Sequence, residues 1–339
     1  MTERQLATIR KIDSITPIEG ADFIEVARLG GWEVVVKKGE YKVDDLAIYI
    51  EIDSWVPLSV APFLFRNKER EFNGVVGERL RTKRLKGVLS QGLLLPLNIK
   101  DEHTKLVSEE GDNVTETLGI QLYEKPVPAC LAGLAKGNFP SFIPKTDQAR
   151  IQNIVRQYET WICNEVDWEV TEKLDGSSMT VYQFQGEYGV CSRNLDLKRT
   201  EGNTFWDVAI RENIHMKMFN KDEWWDFAIQ GELCGPGIQG NQYQLARPEF
   251  FVYDIFDIQK QKYLLPAERR ELCDYLCLKH VPVLWENQCP DETVKELLEK
   301  AKGRSTLSNS QREGFVFKSN LNDVDSFKVI NNDWLLKNE

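Results

Sequence analysis

At 339 residues, with 42% hydrophobic and 28% charged positions, the chain is too long for one ordinary core and too apolar to stay disordered. Two domains of unequal size are expected. A net charge of −10 argues against a uniformly basic nucleic-acid-binding surface, and no segment approaches the ~20 apolar residues of a membrane span.

Residues 5 to 100 read as short strands between turn signals. LATIRKI, FIEVARLGGWEVVVKK, LAIYIEIDSWVPL and VLSQGLLLPL alternate apolar and polar positions or run β-branched. Such stretches commonly close into small barrels, including OB-type barrels that bind oligonucleotides, although a half-open sheet fits the same pattern. Within this region RLRTKRLK places Arg79, Arg81, Lys83, Arg84 and Lys86 together with no anion. A local strip of this kind grips phosphates in an acidic protein, or protects an exposed strand edge by charge; the residues alone leave both open.

Residues 106 to 145 change character, ending in the proline-rich run PVPACLAGLAKGNFPSFIPKT, and are expected to form a linker or crossing segment. A helix start is predicted at Thr146-Asp147, ahead of QARIQNIVRQY. From there to residue 339 the pattern is mixed. WEVTEKL and SMTVYQF are predicted as two strands around a DGS turn. Further strands are expected at YGVCS, DFAIQGEL, FFVYDIFDI, GFVFK and SFKVI. Helices are expected at TFWDVAIRENIHMKMF, PAERRELCDYLCLKH and DETVKELLEKAKG. The domain expectation is therefore 1–105, a 106–145 linker, and 146–339.

The seven cysteines include Cys130 and show no paired CxxC spacing, and three histidines are too few for a zinc constellation. The N-terminus MTERQLATIRK has no apolar run, so no secretory signal is expected. A reducing intracellular compartment follows, with the cytoplasm favoured and nucleus or organelle left open.

The chemistry-bearing candidates form an ordered series: EKLDGSS, with Glu172, Lys173 and Asp175; CSRN, with Arg193 and Asn194; GELCG, with Glu232; FFVYDIFD, with Phe251 and Tyr253; EGFVFK, with Glu313 and Lys318; and SFKVI, with Lys328. Taken singly, each is a turn carboxylate, a core aromatic or a solvated lysine. Together they supply what nucleotidyl transfer to a lysine requires. At a reference pKa of ~10.4 only about one lysine in a few thousand is neutral at pH 7. Neighbouring cations and a metal favour the neutral amine and offset charge on an α-phosphate.

The series resembles the nucleotidyltransferase motifs of covalent polynucleotide ligases and capping enzymes. It is most similar to ATP-dependent RNA ligases of the nick-sealing branch that carry an OB domain ahead of the catalytic domain. FPSFIPKTDQARIQN and GELCGPGIQGNQY add to that likeness. The resemblance implies an α+β protein: an OB-like β-barrel, then a nucleotidyltransferase (ATP-grasp-like ligase) domain of antiparallel sheets with flanking helices. It implies ATP as substrate, Mg²⁺ or Mn²⁺, and RNA as partner, as a nicked duplex or an RNA/DNA hybrid, handled by a monomer.

By motif position Lys173 is the nucleophile and Asp175, Glu232 and Glu313 serve the metal. Glu172 lies at the adenine edge, and Arg193 and Asn194 at the ribose or the reacting end. Tyr253 packs on the base, with Phe251 as the alternative on the same strand face. Lys318 and Lys328 contact phosphates, and Arg79, Arg81, Lys83, Arg84 and Lys86 track a nucleic-acid backbone. Many relatives end in Lys-x-Lys, whereas Ile330 stands two residues after Lys328, so Lys318 or Lys337 is left to supply the second cation. Two other acceptors keep the same lysine chemistry, in a DNA ligase or a capping guanylyltransferase. The eleven residues after Lys328 are too few for the OB domain those enzymes carry there. An inert RNA-binding protein is the remaining alternative.

Overall fold

The computed structural model describes residues 4–64, 70–99, 109–124, 133–220, 223–224 and 226–338. The chain divides into two compact units, Met1–Pro126 with Leu335–Glu339, and Val127–Trp334.

In the first unit the described strands are short, and every pairing among them is antiparallel. Trp32–Lys37 buries Trp32, Val34 and Val36 in strict alternation, as a half-buried strand should. Leu46–Ile50 instead lies between Ala7–Lys11 and Leu93–Leu95 and is buried along most of its length, which accounts for its unbroken apolar run. Ser54–Pro57, Val75–Arg79, Glu71–Phe72 and Gln121–Leu122 form a further sheet. Ile9, Ile48, Ile50, Val56, Leu80 and Leu95 share one core with Val114, Leu118 and Ile120. Each such burial stabilises by roughly 1.5–3 kcal/mol. Residues 109–122 are thus core-bearing rather than linker, which corrects the 106–145 expectation. The boundary expected at 105, like Cys130, lies outside the described residues.

The second unit is built on two sheets. Seven antiparallel strands run in the order Ala135–Asn138, Leu195–Leu197, Glu187–Ser192, Ser177–Phe184, Phe227–Cys234, Glu249–Asp257 and Lys262–Tyr263. The helices Thr204–Arg211 and Pro266–Tyr275 supply Phe205, Trp206, Val208, Ala209 and Cys273 to its core. The helix expected over residues 204–219 is broken at Asn213, whose φ of 54° lies in the left-handed region. The second sheet orders Ala149–Arg150, Ser326–Ile330, Gly314–Ser319, Trp168–Lys173 and Val283–Gln288, with the helices Val155–Cys163 and Val294–Lys300 packed on it.

One local expectation is corrected. No helix starts at Thr146-Asp147: Ala149–Arg150 pairs in parallel with Phe327 and Lys328, and the α-helix begins only at Val155. The strands Trp168–Lys173 and Ser177–Phe184 stand on either side of the DGS turn as expected, and the turn carries the chain from one sheet to the other. No helix among the described residues is long and apolar enough to cross a membrane.

Candidate active site

Lys173 ends its strand facing Gly314 across the ladder, which sets it beside Glu313; its Nζ lies 2.7 Å from Glu313 Oε1. Immediately beyond, the chain turns into the other sheet, where Ser178 pairs with Glu232. The turn brings the Gly176 amide to the Glu232 carboxylate as a hydrogen-bond donor. A Cβ on Gly176 would stand 2.9 Å from Cys234 Sγ, and one on Gly314 would stand 3.0 Å from Ile330 Cα. Both motif glycines are therefore required by close approach of neighbouring chain. The result is a cleft of about 250 Å³ lined by Lys173, Asp175, Glu232, Glu313, Arg193, Tyr253, Lys318 and Lys328 among others.

Each charge in the cleft has a visible physical setting. Burial pulls the Lys173 amine down, but the Glu313, Glu232 and Asp175 carboxylates outweigh it and hold the amine above its ordinary range. Lys173 stands here as a protonated ammonium. Lys318 and Lys328 line the same cleft, each with an acidic partner of its own, and Lys328 lies close enough for its charge and that of Lys173 to act on one another. Lys318 donates to Tyr253 O at 2.8 Å and pairs with Asp254, while Lys328 pairs with Asp147 at 2.7 Å. Burial draws each of these lysines down to about 8, against the pull of its acidic partner. Burial also pushes the Glu232 carboxyl up to about 8, aided by Glu313 and Asp175 and opposed by Lys173.

Among the described residues no three carboxylate, histidine or cysteine side chains are gathered closely enough to hold a metal alone. Asp175, Glu232 and Glu313 are gathered around the Lys173 amine. A divalent cation nonetheless suits the donors present. Glu313 Oε2 is buried without a hydrogen-bond partner, and Glu232 sits in a field that disfavours its charge. Mg²⁺ usually takes one or two carboxylates and completes its shell with waters and phosphates.

The other candidates fall into place unevenly. Glu172 is buried; its Oε2 accepts from the Thr306 amide at 2.8 Å and hydroxyl at 2.7 Å, while Oε1 is buried with no partner. Tyr253 lines the cleft and its hydroxyl meets Thr146 Oγ1 at 3.0 Å and Ser178 Oγ at 3.2 Å. Phe251 does not itself line the cleft but packs behind it, with Leu174, Cys234, Tyr243 and Val281. A bulge in this strand shifts the pairing from Val252 with Gly231 to Asp254 with Gln230, which spoils the simple two-residue alternation that favoured Phe251. Arg193 lines the cleft, whereas Asn194 Oδ1 accepts from Lys145 at 2.7 Å. Thr146, Asp147 and Gln148 also line it and were missed as site residues, because a polar pair after prolines reads equally well as a helix cap.

In the first unit Arg81, Lys83, Arg84 and Lys86 are exposed on and around the hairpin of Lys83–Leu85 and Val88–Ser90. Arg79 is not part of that exposed set. It pairs with Asp53 at 2.6 Å and lies 4.8 Å over the Tyr123 ring, which in turn packs against Phe72 and Trp55.

Two sheets meeting at a lysine ringed by carboxylates and flanked by two further lysines make a cleft suited to an enzyme that handles nucleotide phosphates. Comparison with known proteins narrows that class. An RNA ligase family model matches residues 166–330, and an OB-fold domain model matches residues 6–97. A search of curated proteins gave no match. Among solved structures, an apo mutant of Naegleria gruberi RNA ligase is 42% identical over 99% of this chain and 99% of its own, with a TM-score of 0.90. Mutants of the same enzyme with AMP and Mn and with ATP and Mn are also 42% identical, with TM-scores of 0.90 and 0.89. They cover 98% of this chain and 99% and 98% of their own. The chain belongs to the RNA ligase family, with an OB-fold domain ahead of its ligase domain.

Proposed function

We propose that this chain is an ATP-dependent RNA ligase that joins a 3′-hydroxyl to a 5′-phosphate, at nicks in duplexes, through a lysyl-AMP intermediate. The observation that carries the reading is Lys173 held at a strand end, 2.7 Å from Glu313, in a cleft that also contains Lys318 and Lys328. The Naegleria enzyme's complexes with ATP and Mn and with AMP and Mn support it.

The Lys173 amine, freed of its extra proton, forms a bond to the α-phosphorus of ATP as the bond to the pyrophosphate oxygen breaks. A 5′-phosphate oxygen of RNA then takes the AMP and restores the lysine. The 3′-hydroxyl finally attacks that 5′-phosphorus, losing its proton and expelling AMP. Asp175, Glu232 and Glu313 would hold Mg²⁺ or Mn²⁺, directly or through water, and the bound ion would offset the negative field around Lys173 and polarise the phosphates. Glu313 positions the Lys173 amine, while Lys318 and Lys328 meet phosphate oxygens. The unpartnered Glu172 Oε1 faces the purine edge, and Tyr253 packs on the base. Arg193 serves the ribose or the reacting end. The OB-fold domain holds the RNA, its exposed cations tracking the backbone.

Incubation of the full chain with radioactive ATP and Mg²⁺ or Mn²⁺ should leave a label on the wild type and none on Lys173→Ala. A wild type left unlabelled by ATP would overturn the reading, and label from GTP alone would reassign the chemistry to capping.

A further inference from the structure

Behind the cleft lies a buried polar network of which the chemistry above uses only Lys318. Lys318, which lines the cleft, is tied to Asp254. The Arg269 guanidinium lies beside the same oxygen, its Nη1 3.7 Å from Asp254 Oδ1 as an ion pair without a hydrogen bond. Arg269 is fully buried on the helix Pro266–Tyr275 and is held at two other points. One is Glu169, through Nη2; the other is His280, whose Nε2 accepts from Arg269 Nε at 2.9 Å. Glu169 is held in turn by Arg270 at 2.9 Å, and Arg270 by Glu286 at 3.0 Å.

His280 is placed by the backbone. The Val252 amide donates to Lys279 O at 2.8 Å and the Val281 amide to Val252 O at 2.9 Å, which sets the histidine beside the strand that carries Tyr253 and Asp254. Its Nδ1 lies 2.6 Å from Val281 O, so Nδ1 carries the proton and Nε2 is left as an acceptor. Burial, with Arg269 beside it, keeps the ring neutral, its pKa drawn down to about 3. A neutral acceptor is what the network needs. Glu169 and Asp254 already balance Arg269 and Lys318, and a further buried charge would go uncompensated.

We infer that His280 is a positioning residue for nucleotidyl transfer: by orienting Arg269 it fixes Asp254, and through Asp254 the place of the Lys318 ammonium in the cleft. The inference rests on the proposed role of Lys318 at the ATP phosphates. His280 itself makes no contact with the reacting atoms, so its effect is carried by the network.

Two substitutions separate the contacts of the ring. The side chain of His280→Gln reaches far enough to keep an acceptor for Arg269, whereas that of His280→Asn keeps only the donor toward Val281. Single-turnover labelling of Lys173 by radioactive ATP in the full chain should slow about tenfold in His280→Asn at saturating ATP, with the apparent KM changed less than about twofold. His280→Gln should recover at least half of the wild-type rate, and the two variants should melt within a few degrees of each other. Equal rates in both variants, or rates that follow melting temperature, overturn the inference.

Should His280→Asn not fold, ring ¹⁵N shifts of the intact wild type decide. Nδ1 protonated and Nε2 accepting, unchanged between about pH 5 and 8, support the arrangement, and a ring that titrates in that range overturns it. A wild type that takes no label sinks the ligase reading itself and the role of His280 with it. That outcome is distinct from a labelled wild type whose variants behave alike.

Discussion

The two charged regions of the molecule treat their lysines and arginines in opposite ways. Around Lys173 every cation considered is buried or partly buried and matched to a carboxylate: Lys173 to Glu313, Lys318 to Asp254, Lys328 to Asp147. On the hairpin near residue 84 the cations Arg81, Lys83, Arg84 and Lys86 stand in solvent. Desolvated charges have shifted proton affinities and fixed positions, which suits bond-making. Solvated charges ride on mobile stems, which suits a polyanion whose sequence does not matter. The chain's net −10 hides this division.

The sharpest way to break the comparison is at Lys173. Lys173→Ala should abolish ATP labelling and sealing, a loss of at least about 10³-fold that no ionic strength restores. Lys328→Ala should follow, with adenylylation reduced about 10²-fold by loss of a preorganised charge. A pH series tests the same buried pair from another side. Lys318 and Lys328 are drawn down to about 8 by burial, so they are charged below that value and lose charge above it. Affinity of the free enzyme for ATP, measured by titration, should therefore weaken as pH rises from 7 to 9. An affinity flat across that range would place both lysines outside the phosphate site.

The hairpin should behave otherwise. Replacing Arg81, Lys83 and Arg84 together with Ala should leave labelling within about twofold of wild type. Sealing should weaken about tenfold at moderate salt, with a shallower dependence on salt concentration. Equal loss of both activities would make the hairpin structural. The smallest effect is expected at Arg79, which belongs to neither class. Arg79→Ala should lower stability by about 1–2 kcal/mol through the lost Asp53 pair and Tyr123 contact, read as a lower melting temperature with an unchanged salt slope.

Much of the site was legible in the sequence because the motif glycines fix their neighbours. A glycine after Asp175 and another after Glu313 are demanded by close approach, so the acidic residues beside them are pinned wherever the chain folds this way. Strands with strict alternation, such as Trp32–Lys37, were equally readable. What escaped depended on pairing across distance. Asp147 looked like a helix cap until Lys328, far along the chain, claimed its carboxylate. Arg79 looked like its basic neighbours until Asp53 and Tyr123 were seen to hold it. The residues after 108 read as linker because their apolar positions, Val114, Leu118 and Ile120, follow no regular period.

Of the chain's crossings between the two sheets of the ligase domain, the one through Leu174, Asp175 and Gly176 is the shortest, a tether of about 10 Å even when fully extended. Lys173 stands at one end of that tether, and Ser178, paired with Glu232, lies just past the other. If the two sheets part or twist to admit a nucleotide, the motion is transmitted to the lysine within a few bonds, with no loop to absorb it. Lys173, the proposed nucleophile, would then double as a strain gauge for the cleft, and lengthening the tether by one residue would uncouple the two.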